Sequence, residues 1–240
     1  MRYPRPLTSL HQIEITSICN LRCSYCTWPK MPRPKVHMAR ETYGKALRWV
    51  RHFRDLGTQT ELNLAGIGES TMHPDFVEYI RLAREAVGPH IRLVLATNGL
   101  LVTDEMAEAL KPYDLRIWVS LHRPEKAGPA IEILKRHGLL NGFSADPSTA
   151  SINWAGQVEY HVSARRGPCD WLTQGWAMAM ADGRITTCCL DATGAGVVGT
   201  LDDAPDSIRT RPYGLCKDCH LVPPAEDRAP EVLRSVEMSA

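Results

Sequence analysis

The 240-residue sequence lacks an apolar run long enough to cross a membrane, which takes about 18 to 20 residues. Its N-terminus, MRYPRPLTSL, also lacks the apolar core of a signal peptide. Charge of one sign is not in excess, because the formal net charge is +1, so the composition gives no indication of a nucleic acid partner. We therefore expect a cytoplasmic globular protein that binds neither membranes nor nucleic acids.

Cysteine, by contrast, is abundant, with eight residues in two groups near the two ends of the chain. Cytoplasmic thiols stay reduced, so such groups indicate metal ligands rather than disulfides. In the first group, CNLRCSYC, three and then two residues separate Cys19, Cys23 and Cys26. Three thiolates can hold three irons of a 4Fe-4S cube and leave the fourth iron free for a reactant, whereas a closed zinc site normally takes four protein ligands.

The chain between the two cysteine groups alternates short apolar runs with helix-period segments, which is typical of βα units around a parallel sheet. We predict an α/β fold, an incomplete TIM-type β/α barrel over residues 1–165, because a full barrel needs at least about 200 residues. The predicted strands are His11–Thr16, Thr60–Ala65, Ile91–Thr97, Leu115–Leu121 and Val158–Val162. The predicted helices are Arg40–Leu56, Pro74–Val87, Asp104–Leu110 and Gly128–Arg136.

A small second domain is predicted over residues 166–240. It begins with a β-hairpin in WAMAMADGRITTC, joined at Asp182 and Gly183, a dipeptide suited to the positive φ angles of a tight turn. A short helix near Ala204–Arg209 and a terminal helix over Pro230–Met238 follow. Before this domain, the segment Asn141–Gly156 is rich in small residues and is predicted to be a loop over the open barrel edge.

A second motif, LAGIGESTMHPDF, ends the second predicted strand. Together with CNLRCSYC it resembles the radical S-adenosylmethionine (SAM) enzymes, whose cluster binds SAM and cleaves it to methionine and a 5'-deoxyadenosyl radical. Gly66, Gly68 and Glu69 match the family's glycine-rich stretch, and Ser70 stands where the family has proline. Glycines let a strand end bring its backbone close to a ligand. The resemblance implies a cluster on the first three cysteines and SAM against these glycines.

Further residues of the SAM pocket follow from the same resemblance. Tyr25 matches an aromatic position near the adenine, and Ser120 matches a position that meets the ribose. Thr97 and Asn98, in the run ATNG, would border the pocket. Two alternatives stay open: Asn-Gly is also a common turn, and Tyr25 is compatible with an ordinary half-buried tyrosine.

Polar residues are expected on the interior face of the barrel. Period-2 alternation puts Arg116, Trp118, Ser120 and His122 on one face of the fourth strand. The same rule puts Glu159 and His161 on the interior face of the fifth. Because a charged group inside a barrel is costly unless it is paired or contacts a ligand, we predict that His122, Glu159 and His161 bind substrate or remove a proton. An internal ion pair is the alternative.

The second cysteine group contains five thiols, and its pattern resembles the auxiliary-cluster domain called SPASM, or its shorter form called twitch. The shorter form, with a single 4Fe-4S cluster, matches better because no cysteine follows the C-x2-C pair. The resemblance implies that the ligands are Cys169, Cys188, Cys216 and Cys219. Cys189 is then a spare thiol, which is buried, lies next to the ligands or donates a hydrogen atom. A four-cysteine zinc site remains an alternative.

These features predict a radical SAM oxidoreductase that abstracts a substrate hydrogen and completes an oxidation through the auxiliary cluster. Size and layout resemble the twitch-containing dehydrogenases of aminoglycoside biosynthesis. The substrate is a small molecule or a peptide, and the reductant a flavodoxin- or ferredoxin-type protein. The alternative is a maturase or epimerase of ribosomally made peptides, although ten residues before the first predicted strand leave no room for a leader-binding domain. A non-catalytic iron-sulfur or zinc protein would not need the glycine motif.

The first sixty residues are unusually basic, with eleven lysines and arginines against Glu14, Glu41 and Asp55. Several of the basic residues lie in the loop WPKMPRPKVHMAR that follows the first cysteines. Two interpretations are open: a solvated loop, or a funnel for an anionic substrate or an acidic partner.

Overall fold

A computed structural model of the chain describes residues 4–144, 154–158, 168–219 and 221. The strands are β1 (Arg5–Pro6), β2 (Ser9–Ile13), β3 (Glu61–Asn63), β4 (Arg92–Thr97), β5 (Leu115–Ser120), β6 (Leu140–Ser144), β7 (Trp176–Ala179), β8 (Arg184–Thr186), β9 (Val197–Thr200) and β10 (Arg209–Thr210). The α-helices are α1 (Arg40–Asp55), α2 (Phe76–Val87), α3 (Asp104–Leu110), α4 (Pro124–Arg136) and α5 (Asp170–Gln174).

Eight of these strands form one sheet in the order β6-β5-β4-β3-β2-β7-β8-β9. The strands from β2 to β6 pair in parallel, and helices connect β2 through β6. The remaining strands, β1 and β10, form a small antiparallel pair. The predicted fold class, an α/β partial barrel, is confirmed.

Local signals in the sequence account for the helix bounds. The helix α3 has the predicted bounds because Thr103 caps it: the Thr103 hydroxyl accepts from the Met106 amide at 3.1 Å, and acidic residues fill the first turn. The helix α4 begins four residues before the prediction, at Pro124, since proline suits a first helical turn. None of the helices in the described ranges is long and apolar enough to cross a membrane.

The alternation predicted for β5 is present. Leu115, Ile117 and Val119 are buried against the helices, whereas Arg116 and Trp118 are exposed on the opposite face. That face is the interior of the partial barrel, and it carries the residues that lead up to the predicted substrate region.

The loop prediction for Asn141–Gly156 was wrong for its first residues, because β6 occupies 140–144 as the edge strand beside β5. Gly142, one of the small residues on which the loop prediction was based, lies within this strand. A Cβ at this position would lie 2.5 Å from the Trp118 ring. A glycine that looks like a loop signal therefore serves a close strand contact. Nearly all of the predicted strand Val158–Val162 and the whole helix Pro230–Met238 lie outside the described residues.

The predicted hairpin is present as β7 and β8, with Gly183 at φ +88° in its turn. Its first strand also pairs in parallel with β2, so the sheet continues from the barrel into the C-terminal region. Ala177, Ala179 and Ile185 share the hydrophobic core of the barrel helices. The predicted short helix is a 3-10 turn at Pro205–Ser207. The domain boundary at 165 stays a prediction.

Candidate functional site

The first three cysteines lie in the loop after β2, at the end of the strand where barrels of this kind keep their chemistry. All three are half-buried, and the pKa of Cys19 is raised to about 11, mainly by burial and to a smaller extent by Glu69 and the Cys26 and Cys23 thiols. The amides of Leu21 and Trp28 donate to the sulfurs of Cys19 and Cys26, each at 3.4 Å. N–H···S bonds of this kind accompany iron-sulfur ligands.

Glycines 66 and 68 bring the end of β3 against the base of this loop. A Cβ on Gly68 would lie 2.3 Å from the Thr16 carbonyl oxygen, and one on Gly66 would lie 2.3 Å from Cγ of Glu14. Any side chain at either position would push the two segments apart. The glycine motif and the cysteine loop are therefore held at backbone distance from each other.

Glu69 ends the glycine motif as a buried carboxylate. Its Oε1 accepts from the hydroxyls of Thr71 and Thr97 at 2.7 Å each, and its Oε2 accepts from the Asn98 amide at 2.7 Å. The Asn98 side chain donates to Asn20 of the cysteine loop at 2.7 Å. The predicted residues Glu69, Thr97 and Asn98 thus come together beside the cysteine loop. Oε2 retains acceptor capacity for one more donor, such as an ammonium group.

Ser70 and His73, which follow Glu69 in the sequence, both stabilise the local structure. Ser70, at the position of the family's proline, donates its hydroxyl to the Leu64 carbonyl at 2.6 Å. His73 accepts from the Asp75 amide through Nδ1, so Nε2 carries the proton that it shares with the Met38 carbonyl at 3.2 Å. Both side chains tie the glycine motif to its surroundings.

Tyr25 and His122 join the cysteine loop to the end of β5. The Tyr25 hydroxyl lies 2.9 Å from Nδ1 of His122, and the two rings stack at 5.7 Å. Burial lowers the pKa of His122 below its usual value. Ser120 lies half-buried two residues earlier on β5. The predicted residues Glu159 and His161 lie outside the described residues.

A buried ion pair between Glu14 and Arg33 was missed by the sequence prediction. The guanidinium donates to the two carboxylate oxygens at 2.6 and 2.7 Å, with both side chains almost fully buried. Glu14 also accepts from the amides of Ile67 and Ala181, and Arg33 donates to the Ala192 carbonyl at 3.2 Å. The pair therefore links the cysteine loop, the glycine motif and the C-terminal hairpin. An available signal was the single acid inside the apolar run of the first strand.

The second cysteine group brings its four predicted ligands into one neighbourhood. Burial raises the pKa of Cys188 to about 12 and that of Cys169 to about 11. The Cys169 and Cys219 thiols are close enough to Cys188 to raise its pKa as well. The Cys216 and Cys219 thiols do the same for the pKa of Cys169. Cys189, the predicted spare thiol, lies near Cys188, Cys169 and Cys219, and both Cys189 and Cys169 pack against an apolar cluster made by Trp171, Met178 and Met180.

Tyr213 borders this group and was not predicted. Its amide donates to the Cys216 sulfur at 3.5 Å, and its ring lies on Gly196, where a Cβ would meet it at 2.4 Å. The Tyr213 hydroxyl is buried, and its polar neighbour is the Cys188 thiol. Burial and, next, this thiol raise the pKa of Tyr213. A buried hydroxyl beside a thiol suits a site that holds sulfur acceptors.

Asp191 shapes the loop after Cys188 and Cys189. Its buried carboxylate accepts from the Gly194 and Gly196 amides at 2.8 Å each and from the Thr186 hydroxyl at 3.1 Å. The loop that carries two of the cysteines is therefore fixed from within. The sequence signal was an aspartate before two glycines, a common turn pattern.

Both cysteine groups fit iron-sulfur clusters in their donor chemistry. Sulfurs in both groups receive backbone N–H bonds, and the buried Tyr213 hydroxyl lies beside the second group. Within the described ranges, no three cysteine, histidine or carboxylate side chains are placed to hold a single metal ion. A cluster differs from a single ion because each thiolate has its own iron, so its ligands stand further apart.

Comparisons with known proteins bear on the family and the fold. The model of the Radical SAM superfamily matches residues 13–157. A GTP 3',8-cyclase of Haemophilus ducreyi is 36% identical over 99 residues, which are 41% of this chain and 28% of that protein. A tungsten-containing aldehyde ferredoxin oxidoreductase cofactor-modifying protein of Pyrococcus furiosus is 35% identical over 98 residues, 41% and 26% of the two chains. The chain thus matches little more than a quarter of these curated relatives.

Solved structures share the fold over more of the chain. BtrN in complex with AdoMet and 2-DOIA has a TM-score of 0.68 at 18% identity, covering 82% of this chain and 79% of that one. The anSMEcpe protein with bound AdoMet and the Cp18Cys peptide has a TM-score of 0.59 at 17% identity, covering 83% and 79%. At such identities the likeness concerns the fold. Because the family model covers more than half of the sequence, the chain belongs to the radical SAM superfamily.

Proposed function

We propose that the protein is a radical SAM oxidoreductase that removes two hydrogens from its substrate with the help of an auxiliary iron-sulfur cluster. The observation that supports this best is the difference between its two thiol groups. The first has three thiols beside the buried Glu69 carboxylate, and the second has five thiols, of which those of Cys216 and Cys219 accept backbone N–H bonds.

The residues of the first site divide into two tasks. Cys19, Cys23 and Cys26 would hold the cluster that binds SAM. Oε2 of Glu69 would accept from the amino group of SAM, with the Asn98 amide holding that oxygen in place at 2.7 Å. Bound there, SAM and the first cluster supply a carbon radical that removes a hydrogen atom, and the second cluster supplies an acceptor for one electron.

His122 is the proposed base. Because burial lowers its pKa, the imidazole is neutral near pH 7. When its Nδ1 donates to the Tyr25 oxygen, Nε2 is free to accept a proton from the substrate. Glu159 and His161 remain candidates for the same task or for substrate binding. Ser120 would meet the ribose, and Tyr25 would border the adenine.

The substrate is proposed to be a small molecule, with a peptide as the second possibility. BtrN is described with 2-DOIA and anSMEcpe with a peptide, so the shared fold supports both classes. The curated cyclase match covers 41% of this chain and 28% of the cyclase, so it supports radical SAM chemistry and leaves the substrate class open. We propose that the protein works in the cytoplasm.

The test is anaerobic reconstitution with iron and sulfide, then incubation with SAM, dithionite and a panel of aminocyclitols and short peptides. Formation of 5'-deoxyadenosine and a product lighter by two hydrogens are expected. A product of unchanged mass with an inverted centre would favour an epimerase instead, with Cys189 as the hydrogen donor. Absence of 5'-deoxyadenosine from a protein that carries its iron would contradict the proposal. Bound zinc in the C-terminal site would contradict its electron-transfer part.

A further inference from the structure

The cysteine loop has an inner side and an outer side. On the inner side, Asn20 and Tyr25 contact residues at the ends of β4 and β5, at 2.7 and 2.9 Å. On the other side, called the outer side, Cys19 and Cys26 pack against a small buried cluster made by Trp28, Met31, Ile67 and Ala192. The indole N–H of Trp28 donates to the Ser17 carbonyl at 2.8 Å, which fixes the ring within this cluster.

Two exposed cations lie over the Trp28 ring, and a third is close to it in the sequence. The Lys35 ammonium lies 4.0 Å and the Arg22 guanidinium 5.2 Å from the centre of its ring, both within the range of a cation–π contact. Lys30 is exposed two residues beyond Trp28. None of the three cations forms an ion pair with a carboxylate in the described ranges. We call Arg22, Trp28, Lys30 and Lys35 the outer patch.

The neighbouring sequence leaves the charge of this patch uncompensated. Residues 15–40 contain no acidic residue. The nearest acid before them, Glu14, is buried and occupied by Arg33. Arg33 therefore has a structural task, whereas the cations of the outer patch face solvent. This separates the basic loop into a buried arginine and an exposed positive surface.

We propose that the outer patch is the docking surface for an acidic one-electron donor protein of the flavodoxin or ferredoxin class. The inference rests on the proposed function, in which the first cluster must gain one electron for each SAM cleaved. The donor loses that electron and no atom is transferred. In the proposed function SAM and the substrate occupy the inner side, which leaves the side that carries the three cations for a partner protein. Charge complementarity speeds the encounter of such transient partners.

The test compares two reductants on the reconstituted enzyme. Formation of 5'-deoxyadenosine is measured with dithionite, and separately with a recombinant flavodoxin kept reduced by NADPH and its reductase. In the double variant Lys30→Glu/Lys35→Glu, the flavodoxin-driven rate should fall at least about tenfold at low salt. The dithionite-driven rate should stay within about twofold. Added salt should slow the flavodoxin-driven reaction of the wild type and reduce the difference in rate between the wild type and the double variant.

The matched control is Arg48→Glu/Arg51→Glu, which makes the same charge change on exposed residues of α1. Equal losses in the two variants would overturn the proposal, because net charge alone would then explain them. So would a wild type that works with dithionite but with neither flavodoxin nor ferredoxin. Failure of the dithionite reaction in the wild type would instead reject the proposed function. Iron content and circular dichroism verify that each variant is folded and loaded.

Discussion

The two cysteine groups use the same side chain in different surroundings. The first loop faces the buried Glu69 carboxylate and the Asn98 amide across the mouth of the barrel. The second group lies beside Tyr213 and a loop that Asp191 fixes from within. The first group has three thiols and the second has five, and Cys219 is the buried one among them. In the proposed function, thiol number and neighbouring donors together decide whether a cluster site reacts or relays electrons.

The largest expected effect comes from the open site. Replacing Cys23 by alanine should abolish 5'-deoxyadenosine formation, because two thiolates cannot hold the three irons that leave one free. Product chromatography after dithionite reduction measures the loss. Leu21→Ala in the same loop is the control and should retain cleavage. If Cys23→Ala cleaved SAM at the wild-type rate, the first cysteine group would not be the site of SAM cleavage, and the proposed difference between the two cysteine groups would be wrong.

The closed site should fail differently. Cys216→Ala should still cleave SAM without coupling but should form no oxidised product, since the electron has no acceptor. About four irons per chain should be lost. Iron analysis and product mass, measured on the same sample, separate the two effects. Full turnover by this variant would contradict an electron-transfer task for the second group.

The buried ion pair that joins the two regions gives the next effect. Glu14→Ala leaves the Arg33 charge buried and unpaired, which should lower the free energy of unfolding by about 3 to 5 kcal/mol. Urea unfolding measures it. Glu78→Ala removes a half-exposed partner of Arg40 and Arg81 at the protein surface and should have a much smaller effect. Equal midpoints for both variants would show that the buried pair contributes no more than a surface one.

The smallest expected effect is a change in the reduction potential of the second cluster alone, with both clusters still present. A hydrogen bond from Tyr213 to a sulfur favours the reduced state, so Tyr213→Phe should lower the reduction potential of the second cluster by about 40 mV, which corresponds to about 1 kcal/mol. An EPR-monitored redox titration resolves the two clusters. The potential of the first should not move, and an unchanged potential in the second would contradict the contact.

Sequence reasoning succeeded where one local pattern carries the information. The cysteine spacing, the glycine motif and the capped helix Asp104–Leu110 are of this kind. It failed where a partner lies far along the chain. The sequence around Arg33 does not indicate its buried ion pair with Glu14. Likewise, the sequence around Tyr213 does not indicate that this residue lies beside Cys188. Long-range pairing likewise conceals that β7 joins β2.

That pairing has a consequence for the order in which the chain folds. The bond between the Ala181 amide and Glu14 spans 167 residues, and β2 receives its neighbour β7 from the same distance. A ribosome adds about 5 to 20 residues per second, so β2 waits roughly 8 to 33 seconds with one edge unpaired. An open strand edge of that kind invites pairing with other chains. We therefore expect the newly made N-terminal half to depend on chaperones until the part of the chain that contains β7 leaves the ribosome.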